Sequence, residues 1–379
     1  MAFIPSLQSV SPFYFLRFPN QSFQNTFPFN HPRIKYFYFA RNGIYHLGKR
    51  LKEMGKSRML FPAYNHGNEI RALLAAGVKL EYYNILPNTD IDFADVERKI
   101  KETGIDVFYF IHYVGLPQNI THIKELKEKY NLLLIEDNAL GLFSRFKDEP
   151  LGSTGDASIF CLYKTLPIPN GGALVLNNFD LDFEVQTVTP QRVSTLSRLA
   201  GLLFFWLDLH FWGFGRKLQN LKSNLSGMAD KMDVERVPVL DSGFDVQRAS
   251  WGMAGVSHYL AKRISPKKVI SQRRKNFQFM LEHIPASYHL FSELPQGAVP
   301  WFFPVKLNNR EFVFQELTRS GVDCARFWRQ SHPDIPADRF PDVLSLRNSI
   351  LELPIHQDLN ERHLSLICNQ FNKIVDKND

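Results

Sequence analysis

The sequence predicts an α/β fold, with a mostly parallel sheet in a large domain and a smaller α+β domain at the C-terminus. Three observations predict it. Between residues 41 and 140, short apolar runs alternate with segments of helical period, the pattern of βαβ units. Two of the runs, "IDVFYFIHYVG" and "LLLIEDNAL", are apolar without alternation, as strands buried on both faces are. From about residue 298 the order changes to strand, helix, strand and closing helix. The 379 residues suffice for two domains. The expected division is a Phe-rich arm at 1–34, a large domain at 35–240 with a hydrophobic insertion near 195–225, and a small domain at 241–379.

Each element has its own signal. "MAFIPSLQSVSPFYFLRF" has no basic leader, and Pro5 and Pro12 break its apolar stretch. It reads as an extended packing arm and not as a signal peptide. "RNGIYHLGKRLKEMG" spaces Ile44, Leu47, Leu51 and Met54 as a helix does. "RMLFPAY" is a short strand, "HGNEIRALLAAG" a helix stopped by Gly77, and "VKLEYYNI" a strand. "DFADVERKIKETG" is a helix with Asp92 as cap and Gly104 as stop. "NITHIKELKEKYN" is an amphipathic helix capped by Asn or Thr, and the strand after it ends in Glu136 and Asp137.

"SIFCLYKTLPIPNGGALVLNN" then places a lone lysine, Lys164, between a strand and a glycine turn that opens another strand. "LAGLLFFWLDLHFWGFG", Leu199 to Gly215, is apolar almost all round and carries Phe204, Phe205, Trp206, Phe211 and Trp212. It is open to reading as a buried helix, a dimer contact or a membrane-surface segment; burial in a dimer or against its own domain is favoured. "SWGMAGVSHYLAKRISPKKVISQRRKNFQFMLEHI" reads as one or two long helices.

Composition narrows the function classes. Hydrophobic content of 44% and charged content of 22% are ordinary for a globular chain. A net charge of +7 suits an anionic small molecule, and no Lys/Arg block suggests nucleic acid. Cys161, Cys324 and Cys368 lie far apart, so neither a disulfide framework nor a CxxC metal pair is expected, and a reducing cytoplasm is. No run reaches the roughly 18–20 apolar residues of a spanning helix.

Every unusual residue of the first half lies at a strand's carboxyl end, where ligands bind in parallel sheets. A buried Asp137 needs a cation or a strong donor. Lys164 follows 27 residues later, so both could meet at one sheet edge. Pyridoxal phosphate (PLP) needs this pair: an amine for the Schiff base and a carboxylate facing the pyridinium nitrogen. The lysine, once displaced, becomes the base that moves the proton. His66, after a strand end, is a candidate to stack on the ring. The phosphate needs amides at a helix N-terminus. "ARNGIYHL" offers one, with Asn42, Gly43 and Ile44 at a helix read as opening at Gly43.

The order of "FPAYNH", "FIHYVGLPQNI", "LLLIEDNALGLFS" and "GDASIFCLYKTLPIPNGGALVLNN" resembles the DegT/DnrJ/StrS family of PLP-dependent sugar aminotransferases. "GMAGVSHYLAKRIS" and "LELPIHQDLNERHLSLICNQF" resemble its later helix and closing segment, so the likeness covers roughly 35–185 and 245–375. The resemblance implies an aspartate-aminotransferase-like, PLP-binding large domain. Lys164 would be the Schiff-base lysine, Asp137 the pyridinium partner, His66 the stacking residue and Gly43 part of the phosphate helix. It further implies a homodimer that aminates a nucleotide-linked keto sugar with an amino acid such as glutamate. The chain departs from the family at Ile44 (usually Thr), at Leu140 (usually polar) and at Asp245 of "GFDVQR", Gly243 to Arg248 (usually Asn). Ile159 and Cys161 stand at the plausible positions for a phosphate-binding Ser. Arg41 is the candidate compensating charge. A non-enzymatic dimer of the same fold, or a PLP enzyme of another reaction type, remains open on these departures.

Overall fold

The computed structural model describes residues 3–211, 213–225 and 244–377. The N-terminal arm, read as an extended packing segment, carries two short helical turns. Ser11 caps a 3-10 turn at Pro12–Leu16, and Asn20 caps the one-turn helix α1 at Gln21–Gln24. Such side-chain bonds to nearby amides offer the backbone an alternative to extension. The stretch before them is tied down: Ile4 bridges Val322, Ser9 donates to Asp358, and the Val10 N–H donates to the Leu202 carbonyl.

Strand β1 (Ile34–Phe37) leads into α2 (Ala40–Glu53), whose Ile44, Leu47 and Leu51 face the core as their spacing requires. Then come β2 (Arg58–Pro62), α3 (Asn68–Ala76), β3 (Lys79–Tyr83), α4 (Phe93–Thr103), β4 (Val107–Ile111), α5 (Ile120–Tyr130) and β5 (Leu133–Asp137). Asp92 caps α4 by accepting the Asp95 N–H, and Asn119 caps α5 by accepting the His122 N–H. Gly77 and Gly104 end α3 and α4 in the left-handed region. A short hairpin, β6 (Arg145–Phe146) and β7 (Glu149–Pro150), precedes β8 (Ala157–Cys161), the single turn α6 (Leu162–Thr165) and β9 (Gly172–Leu176).

Among the described residues, seven strands form one sheet in the order β1-β9-β8-β5-β4-β2-β3. The pairs from β8 to β3 are parallel, and β9 runs antiparallel to both β8 and β1. All five residues of β4 and of β8 are buried, so both sheet faces are covered and the apolar runs need no polar alternation. Each buried aromatic or aliphatic side chain contributes about 1.5–3 kcal/mol. The parallel register brings the carboxyl ends of β2, β4, β5 and β8 to one edge.

The apolar stretch that starts at Leu199 lies in a helix that begins earlier, α7 (Arg192–His210), which is followed by α8 (Phe214–Leu225). Leu199 and Leu202 are buried together with Val10, and the Trp206 ring meets Phe13 edge-on at 6.4 Å. One face of α7 therefore packs on the chain's own arm. Asp208, which interrupts the apolar run, accepts the Arg216 N–H at 2.7 Å and so caps α8. Trp212 lies outside the described residues. Among those described, no helix is long and apolar enough to cross a membrane.

The long helical stretch resolves into two helices, α9 (Gly255–Ala261) and α10 (Pro266–His283), separated by the Ser265 cap and Pro266 in the first turn. The remainder is β10 (Phe302–Lys306), α11 (Arg310–Arg319), β11 (Ala325–Arg326), α12 (Pro341–Ser349), β12 (Ile350–Pro354) and α13 (Glu361–Val375). Its strands form an antiparallel sheet in the order β10-β12-β11, over which α10, α11 and α13 close a second core that also takes in Ile4.

Candidate active site

Lys164 sits in α6, just past the carboxyl end of β8, and is 6% exposed. Its Nζ lies 5.1 Å from the centre of the Trp301 ring, and the Trp301 Nε1–H donates to the Lys164 carbonyl at 2.7 Å. An indole face attracts an ammonium without neutralising it. The glycine pair has a steric cause. A Cβ on Gly172 would fall 2.2 Å from the Ala40 nitrogen and 2.3 Å from the Phe39 carbonyl carbon. Glycine at the start of β9 thus lets the N-terminus of α2 lie against the sheet. The Gly171 carbonyl accepts the Leu162 N–H at 2.9 Å, so the lysine turn and the helix start share one short stretch of backbone.

Asp137 ends β5, 2% exposed. It accepts the Ala139 N–H at 2.8 Å and the Tyr109 hydroxyl at 2.5 Å. The register explains the second contact. Ile135 pairs with Tyr109 across the parallel strands, and Asp137, two residues on, shares its face. Burial, reinforced by the Glu69 carboxylate at the start of α3, pushes Asp137 up to about 6; the Tyr109 and Ala139 bonds and the Lys164 charge only partly offset this.

Glu136, on the opposite face, has a different occupation. His112 Nδ1 accepts the Gln118 N–H at 3.0 Å, so its Nε2 carries the proton and donates to Glu136 at 3.0 Å. The Gly152, Thr154 and Gly155 amides also donate to Glu136. Burial pushes this carboxyl up, but the His112 bond and the glycine amides outweigh it and hold it below its ordinary range. The pair anchors the 152–155 loop.

The other expected residues divide. His66 is half-buried in the turn between β2 and α3, at the same sheet edge as Asp137 and Lys164. The helix read as opening at Gly43 begins three residues earlier, at Ala40. Gly43 and Ile44 are its fourth and fifth residues, so their N–H groups belong to the intrahelical ladder. A Cβ on Gly43 would press to 3.2 Å against the Phe37 ring, and the Ile44 side chain is in the core. Asn42 is buried, and its Nδ2 donates to the Arg248 carbonyl at 2.9 Å, tethering the turn after Asp245. Cys161 is the last residue of β8, with its side chain in the core. Leu140 is buried in the same core.

Asp245 pairs with Arg248 at 3.0 Å, and Gly243 of that segment lies outside the described residues. Two guanidinium groups flank the start of α2: Arg41 lies 4.3 Å and Arg198 of α7 4.8 Å from the Phe39 ring centre. Tyr109, Trp301, Glu69 and Arg198 were not anticipated. The first two carried a signal, a hydroxyl or indole inside an apolar strand segment, that core packing imitates.

A model of the DegT/DnrJ/EryC1/StrS aminotransferase family matches residues 46–232. The chain is 22% identical to the UDP-4-amino-4,6-dideoxy-N-acetyl-beta-L-altrosamine transaminase of Campylobacter jejuni, over 81% of this chain and 76% of that one. Its fold is similar to that of a Helicobacter pylori aminotransferase involved in the biosynthesis of pseudoaminic acid (TM-score 0.67, 14% identity, 100% of both chains). It is also similar to the PLP form of a putative sugar aminotransferase from Streptococcus pneumoniae (TM-score 0.68, 12% identity, 99% of both chains). At these identities the structural likenesses establish the fold.

Proposed function

We propose that the chain is a member of the DegT/DnrJ/EryC1/StrS aminotransferase family, whose model matches residues 46–232, and that it moves an amino group from an amino acid to a nucleotide-linked keto sugar, with PLP as cofactor. The observation that carries the reading is a buried amine, Lys164, brought to the same sheet edge as a buried carboxyl, Asp137, whose affinity for a proton is raised.

The residues present fit the cofactor. A carboxyl pushed up by burial is relieved by a cation placed beside it, and a protonated ring nitrogen is such a cation. The N-terminus of α2, with Arg41 and Arg198 beside it, suits a phosphate dianion. In this reading Lys164 binds the cofactor and later carries the proton. Asp137 holds the ring nitrogen charged, and His66 covers the ring. Gly43 and Ile44 act by shape, seating α2 on the sheet. PLP, when bound, supplies the electron sink that makes the substrate's α-proton acidic. Tyr109 keeps Asp137 oriented by donating to one of its oxygens. Trp301 walls one side of the amine and ties down the backbone that carries it.

Glutamate is the donor we expect, a homodimer the assembly and the cytoplasm the compartment; the reduced, buried Cys161, Cys324 and Cys368 accord with the last. The similarity to a UDP-sugar transaminase supports the substrate class. The test is spectroscopic. PLP-loaded protein should absorb in the visible, glutamate should bleach that band, and a keto-sugar nucleotide should restore it. Protein that binds PLP but gives no response to any amino acid would contradict the transfer and favour a non-enzymatic role.

A further inference from the structure

We infer that Arg273 is a positioning residue for Lys164, acting through Gln8, Trp301 and Gln357. The inference rests on the role of Lys164 proposed above. The sequence "YKTLPIP" creates a need. In a helical continuation, the carbonyls of Tyr163 and Thr165 would accept from residues 167 and 169, and both are prolines without an N–H. The Ile168 N–H, which would serve the Lys164 carbonyl, turns to Leu166 instead, at 2.8 Å. Carbonyls this deeply placed need partners.

Side chains from distant parts of the chain supply them. Gln8 Nε2 donates to the carbonyls of Tyr163 at 2.7 Å and Leu166 at 2.8 Å. Trp301 Nε1 donates to Lys164 at 2.7 Å, and Gln357 Nε2 donates to Thr165 at 3.0 Å. Four successive carbonyls around the lysine are thus held by three side chains, one from the N-terminal arm and two from the C-terminal part.

The three converge on one guanidinium. Arg273, 1% exposed on α10, donates from Nε to Gln357 Oε1 at 2.8 Å and from Nη2 to Gln8 Oε1 at 3.4 Å. Its Nη1 donates to the carbonyls of Pro300 at 3.2 Å and Trp301 at 2.8 Å. By binding the amide oxygens of both glutamines, Arg273 turns their N–H ends toward the lysine turn. A planar fork of five donors can do this, and an ammonium cannot. Burying a cation among uncharged acceptors is costly. Burial lowers the Arg273 pKa to about 9, against the opposing charge of Asp358. A cost of this kind is kept where it fixes a geometry.

The experiment has two arms, on wild type, Gln8→Leu and Arg273→Lys. In cofactor-free protein, hydrogen–deuterium exchange of the peptide spanning residues 161–171 should quicken by at least about tenfold in both variants, with α5 unchanged. With PLP added, the rate at which Lys164 captures it should fall by a similar factor, and the pH profile of capture should move. Gln8→Leu keeps Arg273 in place and removes one of the links through which it acts; Arg273→Gln is the second test of the guanidinium if Arg273→Lys does not fold. Unchanged exchange in the variants that fold overturns the inference, and so does quickened exchange with wild-type capture. If wild type itself fails to capture PLP at Lys164, the proposed function fails, and the exchange arm alone judges whether Arg273 holds the turn.

Discussion

Asp137 carries its charge at neutral pH against the preference of its surroundings. Its pKa in the folded chain is about 6, against an ordinary 3.8. The folded state therefore binds this proton more tightly than the unfolded state does. The resulting stability is fully present below the ordinary value and is lost as pH rises through the folded one. At neutral pH the ionised group costs on the order of 3 kcal/mol. Cofactor-free Asp137→Asn should then melt above wild type near about pH 8, with the gap closing toward about pH 4. The same variant should hold PLP more weakly, since the ring nitrogen loses its counter-charge. A lower melting point at the alkaline end would show that Asp137 is a structural acceptor. Lys164 and Asp137 were legible in the sequence because a charged residue inside an apolar run contradicts its context. Tyr109 and Trp301 were not, because an aromatic residue in or beside a buried strand satisfies its context. Glu69 and Arg198 looked like ordinary helix-surface charges, and only the packing of α3 and α7 brings them to the site.

The start of α2 shows how an element can be misread. Its N-cap residue, Phe39, makes no side-chain capping bond, so nothing in the sequence marked the boundary and Gly43 drew attention instead. The structural glycine is Gly172, where β9 and the helix start nearly touch. Gly172→Ala would drive a methyl into the Ala40 nitrogen and should cost about 1–3 kcal/mol, as overpacking does. It should also weaken retention of PLP more than of pyridoxal, which lacks the phosphate. Equal losses for both ligands would place the anion site elsewhere. The helices with Asp92 and Asn119 as caps were readable because those side chains announce a boundary, whereas the Ser265 cap was missed and the helix break there stayed open. β11 is two residues long and α12 lacks a side-chain cap bond, and neither left a periodic trace.

At the scale of the molecule, the alternation of strands and helices was enough for a mostly parallel sheet. The strand order was not, since it depends on which crossover each connection takes. Nor did the sequence reveal that the arm reaches two separate hydrophobic clusters, with Ile4 in that of the C-terminal sheet and Val10 in the one that takes in Leu199 and Leu202 of α7. Contacts so far apart in sequence carry no local signal. The arm also accounts for part of α7: its Leu199 and Leu202 face is covered from within the chain. On that ground wild-type protein should stay behind when anionic vesicles are floated at low salt, and Phe204→Ser/Trp206→Ser should change thermal stability and not partitioning. Flotation of wild type that the double variant loses would assign the helix to a membrane surface. The central claim is that the sheet edge exists to present one amine, Lys164, to PLP. Borohydride reduction of the PLP-loaded protein followed by peptide mass mapping tests it most directly. A single pyridoxyl adduct on Lys164, absent from folded Lys164→Ala, is the predicted result; an adduct on another lysine, or none at saturating PLP, would contradict it.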